Sequence, residues 1–301
     1  MTFTKGKFVK YTVKEFRKDF PNDETCLKYL FKLFYSGIPD FDKYYLITGR
    51  KEFVHSATGE HISPLANTIF HKSSTKLTIW FEAIYKFANS RNGVAAMELM
   101  RDFGVTYKCA WRLAKQIRTL FTDNREQLGH KENSEVEIDE TYIGGKEKNK
   151  HTVKKLGHKA TREKITVLGA LERKNKVVTQ AVDDTNSSTI KPFIRGKIKI
   201  GSVVYSDELT GYEDLKYQGY DHKTVNHTTA KQYVDGKVNT NSVEGFWSLV
   251  KNGINGTYRM VSPKYLQTYL NEFAFRYNHD HSKSHLFDYI LSIRLRDDLL
   301  I

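Results

Sequence analysis

The chain has 301 residues, a length that suggests about two domains whose cores need no disulfide or metal staple. Charged residues make up 28%, the mean hydropathy is −0.56, and no stretch approaches the ~18 consecutive apolar residues of a membrane helix, which excludes a helical membrane protein. The 48 Lys and Arg against 35 Asp and Glu leave a formal charge of +13. Such an excess points to a polyanionic partner, nucleic acid foremost, because cations that neutralise phosphates release condensed counterions.

The opening MTFTKGKFVK has lysines but no apolar core or small-residue cleavage site, so the expected compartment is the cytoplasm, beside the nucleoid. Cys26 and Cys109 are the only cysteines, too few for a disulfide framework or a Cys-only zinc site. From Leu77 the apolar residues Trp80, Phe81, Ile84, Tyr85 and Ala88 follow at the spacing of an amphipathic helix. Gly93 interrupts. A helical segment over roughly 94–103 then leads through Gly104 to a second helix opening at Thr106, an N-cap residue, which is the order of a helix-turn-helix. On a wheel of ~100° per residue, Arg112 and Lys115 lie within about 40° of Lys108, while Cys109, Leu113, Ile117 and Leu120 gather on a separate flank. In a helix-turn-helix the second helix enters the major groove, which makes Lys108, Arg112 and Lys115 candidate DNA-binding residues. The same pattern also describes a solvated face on a packing helix.

The polar stretch TDNREQLGHKENSE places a domain boundary near residue 130. Beyond it come strand-like runs, VEIDETYIGG, KITVLGALER, KVVTQAVDD, SVVYSDEL and DHKTVN, with a helical SSTIKPFIRGKI between the third and fourth and helices after Asn239. This order predicts an α/β domain with a mixed sheet, its first three strands joined by hairpins and the fourth returning through a crossover helix.

Asp139 and Asp207 each close an apolar strand, where a carboxylate has to be paired, solvated or coordinated. Glu244 lies on a predicted helix with Lys251 two turns further on. Two strand aspartates and a helix glutamate are oxygen ligands suited to a pair of Mg²⁺ ions, with Mn²⁺ as substitute, Asp139 bridging both ions and Lys251 holding DNA phosphate. Strand alternation sends Glu140 to the other sheet face. Asp184 reads as a helix cap, Glu208 as a solvated acid, and Phe246 and Trp247 as core.

The segments EIDETYIGGKEKNK, VVYSDELTGY, TNSVEGFWSLVKNGINGTYRMVSP and YLQTYLNEFAFRYN, in this order, resemble the bacterial insertion-sequence transposases of the ISXO-like group, DDE enzymes with an RNase H-like domain. The resemblance spans roughly 135–278, and the acids share the DDE layout in which the last two lie closer together than the first two. It implies Asp139, Asp207 and Glu244 as metal-binding catalytic acids and Lys251 as the basic partner of the last. The implied organisation is an N-terminal region over 1–75, a helix-turn-helix region over 76–130, and an RNase H-like catalytic domain over 131–301. The implied function is binding of double-stranded element ends and their cleavage and transfer into target DNA by a homo-oligomer. No covalent protein intermediate is expected, so Tyr142 and Tyr212 are not nucleophiles. Two other readings stay open, a structure-specific nuclease on the same carboxylates and a non-catalytic, domesticated DNA-binding protein.

The group carries an N-terminal zinc ribbon with two Cys-x-x-Cys pairs, whereas residues 37–71 here contain no cysteine and offer only His55, His61 and His71. Ile38, Phe41, Tyr44, Tyr45 and Phe53 supply apolar area instead, so this region is expected to fold without structural zinc.

Overall fold

A computed structural model describes residues 11–121, 127–129, 134–144, 164–207, 212, 215–224, 239–279 and 286–293. The polar linker expected near residue 130 and Glu208 lie largely or wholly outside them. The chain divides into two compact units, the first from residues 1–90, 94–120 and 281–301, the second from 91–93 and 121–280.

In the first unit, α1 (Val13–Asp19) opens with a capping box in which Thr12 and Glu15 satisfy each other's backbone N–H. Asn22 caps α2 (Asp23–Tyr35). Three short strands follow, β1 (Tyr44–Leu46), β2 (Phe53–His55) and β3 (His61–Ile62), paired as an antiparallel meander. What holds this small sheet is aromatic area. Phe31 of α2 stacks on Phe53 with ring centroids 3.9 Å apart and on Phe41 at 5.0 Å. Of the five residues expected to build this core, Tyr45 stays outside, 57% exposed. The buried His55 ring accepts the N–H groups of Ala57 and Thr58 on Nδ1 and so closes the β2–β3 turn. His61 instead faces Glu52.

The amphipathic stripe at Leu77 becomes α3 (Leu77–Asn89), with Trp80, Phe81, Ile84 and Phe87 fully buried. Helix α4 (Ala96–Phe103) stops at Gly104, whose φ of 61° is a left-handed C-cap. Helix α5 (Tyr107–Arg118) starts where Thr106 accepts the Cys109 N–H. Leu113, Ile117 and Leu120 are buried on the expected flank. Helix α9 (Leu286–Ile293) belongs to this unit too, its Phe287 ring packed edge-on against Phe16 and Phe81.

The second unit is built on a five-stranded sheet of β4 (Glu135–Ile143), β5 (Ile165–Glu172), β6 (Val177–Val182), β7 (Val203–Ser206) and β8 (Asp221–Thr224), in the order β6-β5-β4-β7-β8. Strands β4, β5 and β6 pair antiparallel, whereas β7 lies parallel to β4 and β8 parallel to β7. Helix α6 (Ser187–Lys197) is the crossover that brings β7 back beside β4. Asp184, expected as a cap, accepts from Thr189 Oγ1 and from the Asn186 N–H in the turn before the helix, while the N-cap position falls to Asn186.

Alternation along β4 gives the sheet its two faces. Val136 and Ile138 pack with Ile190, Phe193 and Ile194 of α6, while Ile143 packs on the face covered by α7 (Asn241–Gly253) and α8 (Leu266–Asn278). On that second face Gly169 of β5 stands opposite Asp139 in the register. Trp247 of α7 fills the space above it: a Cβ on Gly169 would lie 2.4 Å from the indole Cζ2. Gly169→Ala therefore has to push α7 off the sheet. It is expected to destabilise the protein by about 1–3 kcal/mol, the usual cost of overpacking, read as a lower Tm; an unchanged Tm would show that α7 yields freely. No helix among the described residues is long and apolar enough to cross a membrane.

Candidate active site

Strand β4 runs past the last residue pair it makes with β7, Glu137 with Tyr205, and carries Asp139 and Glu140 beyond it. Asp207 follows the end of β7 directly. Since the two strands are parallel neighbours, the C-terminal end of β7 comes beside the middle of β4, and one carboxylate oxygen from each of Asp139, Glu140 and Asp207 lies within 4.8 Å of the others. All three residues are half-buried.

Glu140 departs from the expectation. Its backbone does obey alternation, since it shares a face with Val136 and Ile138 and accepts a hydrogen bond from Tyr212 Oη at 3.1 Å. Beyond the end of β7 no strand flanks β4 on that side, though β5 continues on the other, and a glutamate is long enough to bring its carboxylate round that open edge to the aspartates. Tyr212 itself is 1% exposed and its pKa is driven well above 10 by burial and by Glu140, which keeps the phenol protonated.

The electrostatics are those of crowded carboxylates. Burial first, then Glu140 and Asp207 and, more weakly, Glu244, push the Asp139 carboxyl from 3.8 up to about 7. Glu140 is raised by burial and by Asp207, against the Tyr212 hydrogen bond. Hard, closely spaced oxygens that repel one another fit a divalent cation of the Mg²⁺ or Mn²⁺ type, whose charge offsets the repulsion.

Glu244 sits in the first turn of α7, exposed, with Oε1 accepting from Thr240 Oγ1 at 3.2 Å. It contributes to the field at Asp139 but stands outside the cluster of three. Lys251 is exposed two turns along the same helix. Phe246 and Trp247 between them are 1% and 3% exposed, core residues as expected. In the first unit Lys108 and Lys115 are exposed on α5, Lys115 lying over the Trp111 ring at 5.5 Å. Arg112, half-buried, donates from Nη2 to Thr75 Oγ1 at 2.7 Å. The described His, Cys, Asp and Glu residues form no other cluster of three or more with metal-binding spacing.

Two residues at the sheet end escape sequence reasoning altogether. Glu137 is fully buried, and Arg173, just past β5, pairs with it at 2.6 Å and with Glu135 at 3.1 Å. The available signal was the run Glu135, Glu137, Asp139, acids at a period of two that a strand must place on one face.

A mixed sheet whose five strands, in chain order, stand as three-two-one-four-five, with carboxylates gathered where the fourth ends beside the middle of the first, is of the RNase H-like class. Residues 131–278, just under half of the chain, match the family of the ISXO2-like transposase domain. A Haemophilus influenzae protein described as an uncharacterized transposase-like protein is 29% identical over 113 residues, which cover 38% of this chain and 89% of that one. Among solved structures, a chain from the simian T-cell lymphotropic virus intasome in complex with the PP2A regulatory subunit B56 gamma matches at 11% identity, 64% coverage of this chain, 65% of its own and a TM-score of 0.28.

Proposed function

We propose that the protein is the transposase of an insertion sequence, cutting DNA at the ends of its element and joining the freed 3′-OH to target DNA. The observation that carries this reading is the meeting of Asp139, midway along β4, with Asp207 at the end of the parallel β7, Glu140 completing the cluster and the charge of Glu244 felt at Asp139. In this reading Asp139, Asp207 and Glu244 are the carboxylates that would hold divalent cation at the site. Mg²⁺, or Mn²⁺ in its place, supplies charge neutralisation at the phosphate and a more acidic attacking hydroxyl.

The protein's own part is positional. The strand ends hold the carboxylates on one side of the scissile phosphodiester, and Lys251 holds a neighbouring phosphate. Water attacks phosphorus, the P–O3′ bond breaks, and the 3′ oxygen leaves as a hydroxyl. That hydroxyl is the nucleophile of the second displacement, so no side chain is covalently modified. A duplex carrying the DNA that flanks the reading frame tests the first step. The expected products are nicks that leave a 3′-OH and require Mg²⁺ or Mn²⁺; equal cleavage of unrelated duplex would favour a structure-specific nuclease.

Binding of the ends we assign to α5, where Lys108 and Lys115 are exposed and Arg112, bonded to Thr75, is the third candidate for DNA contact. Replacing all three by alanine is expected to weaken binding and lower the slope of log K against log salt by about two to three, near one for each phosphate no longer neutralised. An unchanged slope would make α5 a packing helix. The first unit folds on its aromatic stack without structural zinc, and cytoplasmic work on double-stranded DNA as a homo-oligomer completes the reading.

A further inference from the structure

Glu137 lies on β4 two residues before Asp139, and its side chain leaves the same face. A fully buried carboxylate needs its charge and lone pairs answered, and every group that answers here is a donor. The Ser242 N–H donates to Oε2 at 2.8 Å and the Val243 N–H at 3.0 Å, while Ser242 Oγ donates to Oε1 at 3.0 Å. Arg173 donates from Nε to Oε1 at 2.6 Å. The same guanidinium reaches Asn239 O at 2.8 Å, just before α7, and stacks over Tyr205 of β7 at 4.4 Å. Tyr205 in turn donates to Glu135 at 3.0 Å.

Glu137 thus grips the two backbone N–H groups that precede Glu244. Apolar packing of α7 on the sheet is non-directional and leaves the helix some freedom to turn about its axis. Each residue of slip turns a helical side chain by ~100°, enough to carry Glu244 away from Asp139. Two backbone hydrogen bonds to a carboxylate anchored on β4 remove that freedom.

We propose that Glu137 is a positioning residue, fixing the rotation and register of α7 on β4 so that Glu244 stands where it can share a metal with Asp139. The inference rests on the reading of Glu244 as a metal-binding acid. An amide that keeps its oxygen on the Ser242 and Val243 N–H groups turns its NH₂ on the Arg173 Nε–H, and one that keeps its oxygen on Arg173 turns its NH₂ on the two backbone donors, so Glu137→Gln loosens the first turn of α7 at constant shape.

The test is a double-mutant cycle on the full chain, with Mn²⁺ alone as probe. Glu137→Gln is expected to weaken Mn²⁺ binding by about tenfold, a usual cost of losing a group that orients a ligand. In a Glu244→Gln background it should cost less than about twofold more, because the ligand it positions is gone. A loss of distant charge would multiply with Glu244→Gln, so a further tenfold loss overturns the proposal, as does a folded Glu137→Gln that binds Mn²⁺ like wild type. In metal-free protein, hydrogen exchange at the Ser242 and Val243 amides should quicken in Glu137→Gln and stay unchanged in Glu244→Gln. Should Glu137→Gln not fold, Ser242→Ala, which removes only the hydroxyl donor, decides through the same cycle with an expected loss of about two- to threefold. If Glu244→Gln itself binds Mn²⁺ normally, the assignment of Glu244 falls and the proposal with it. If Glu244→Gln weakens binding and Glu137→Gln does not, the proposal alone falls.

Discussion

Asp139→Asn and Asp207→Asn are each expected to lower metal-dependent DNA cleavage by about 10³-fold or more, equivalent to roughly 4 kcal/mol of lost transition-state stabilisation. Binding of element ends should stay within about twofold of wild type. The two carboxylates lie on the sheet of the second unit, and the basic helix face lies in the first, so the chemistry and the binding separate by residue. Glu244→Gln should follow the aspartates. Lys251→Ala should slow cleavage with less change in metal affinity, since an ammonium holds phosphate and not metal. Cleavage in Mg²⁺ beside a gel shift on the same duplex is the measurement, and near-normal cleavage by a variant removes that residue from the site.

The second large effect is on pH. The Asp139 carboxyl sits at about 7 in the folded, metal-free protein against 3.8 as its ordinary value, burial and the neighbouring acids being the cause. Between those values the folded state holds a proton that the unfolded chain has lost, so stability falls as pH rises through that window. The metal-free protein should lose roughly 1–3 kcal/mol between pH 5 and pH 8 on this account, and Asp139→Asn should flatten the decline and raise the Tm at pH 8. Divalent cation competes with the same proton. Mn²⁺ affinity should rise about tenfold per unit up to pH 7 and level off above it, restoring the lost Tm. Thermal melts with and without Mn²⁺ check both arms; a pH-independent affinity between 5 and 7 would show that Asp139 is ionised throughout.

Much of the second unit is legible in the sequence because its signals are local. Apolar runs of four to nine residues bounded by turns become β4 to β7, the spacing of the first three imposes hairpins, and SSTIKPFIRGK forms α6 with Pro192 inside it, at the cost of one backbone hydrogen bond. Asp139 and Asp207 stand out because an acid at the end of an apolar strand has to be explained. Glu140 could not be placed by alternation, which fixes the direction of a Cβ and not the reach of a long side chain past the end of β7. Glu137 was hidden for a different reason: its partners, the Ser242 and Val243 N–H groups, lie more than a hundred residues away, and backbone donors leave no mark in sequence.

In the first unit, the end of α4 and the start of α5 follow from Gly104 and Thr106 alone. The docking of α9 does not. Its stripe of Leu286, Phe287, Ile290 and Leu291 says that one face is buried, and only the fold supplies Phe16, Phe20 and Phe81 as what covers Phe287. Likewise, aromatic residues in a stretch without cysteines predict an apolar core, while the stacking of Phe53 on Phe31 depends on α2 reaching over the meander.

The most direct measurement supplies the protein with a labelled duplex that already ends in the element's 3′-OH, together with unlabelled supercoiled plasmid and Mg²⁺, and follows the label. The transposase reading predicts that label becomes covalently joined to plasmid DNA with wild-type protein and not with Asp139→Asn or Asp207→Asn. Label that stays unjoined while the plasmid is merely nicked, or joining that survives loss of both aspartates, would contradict it.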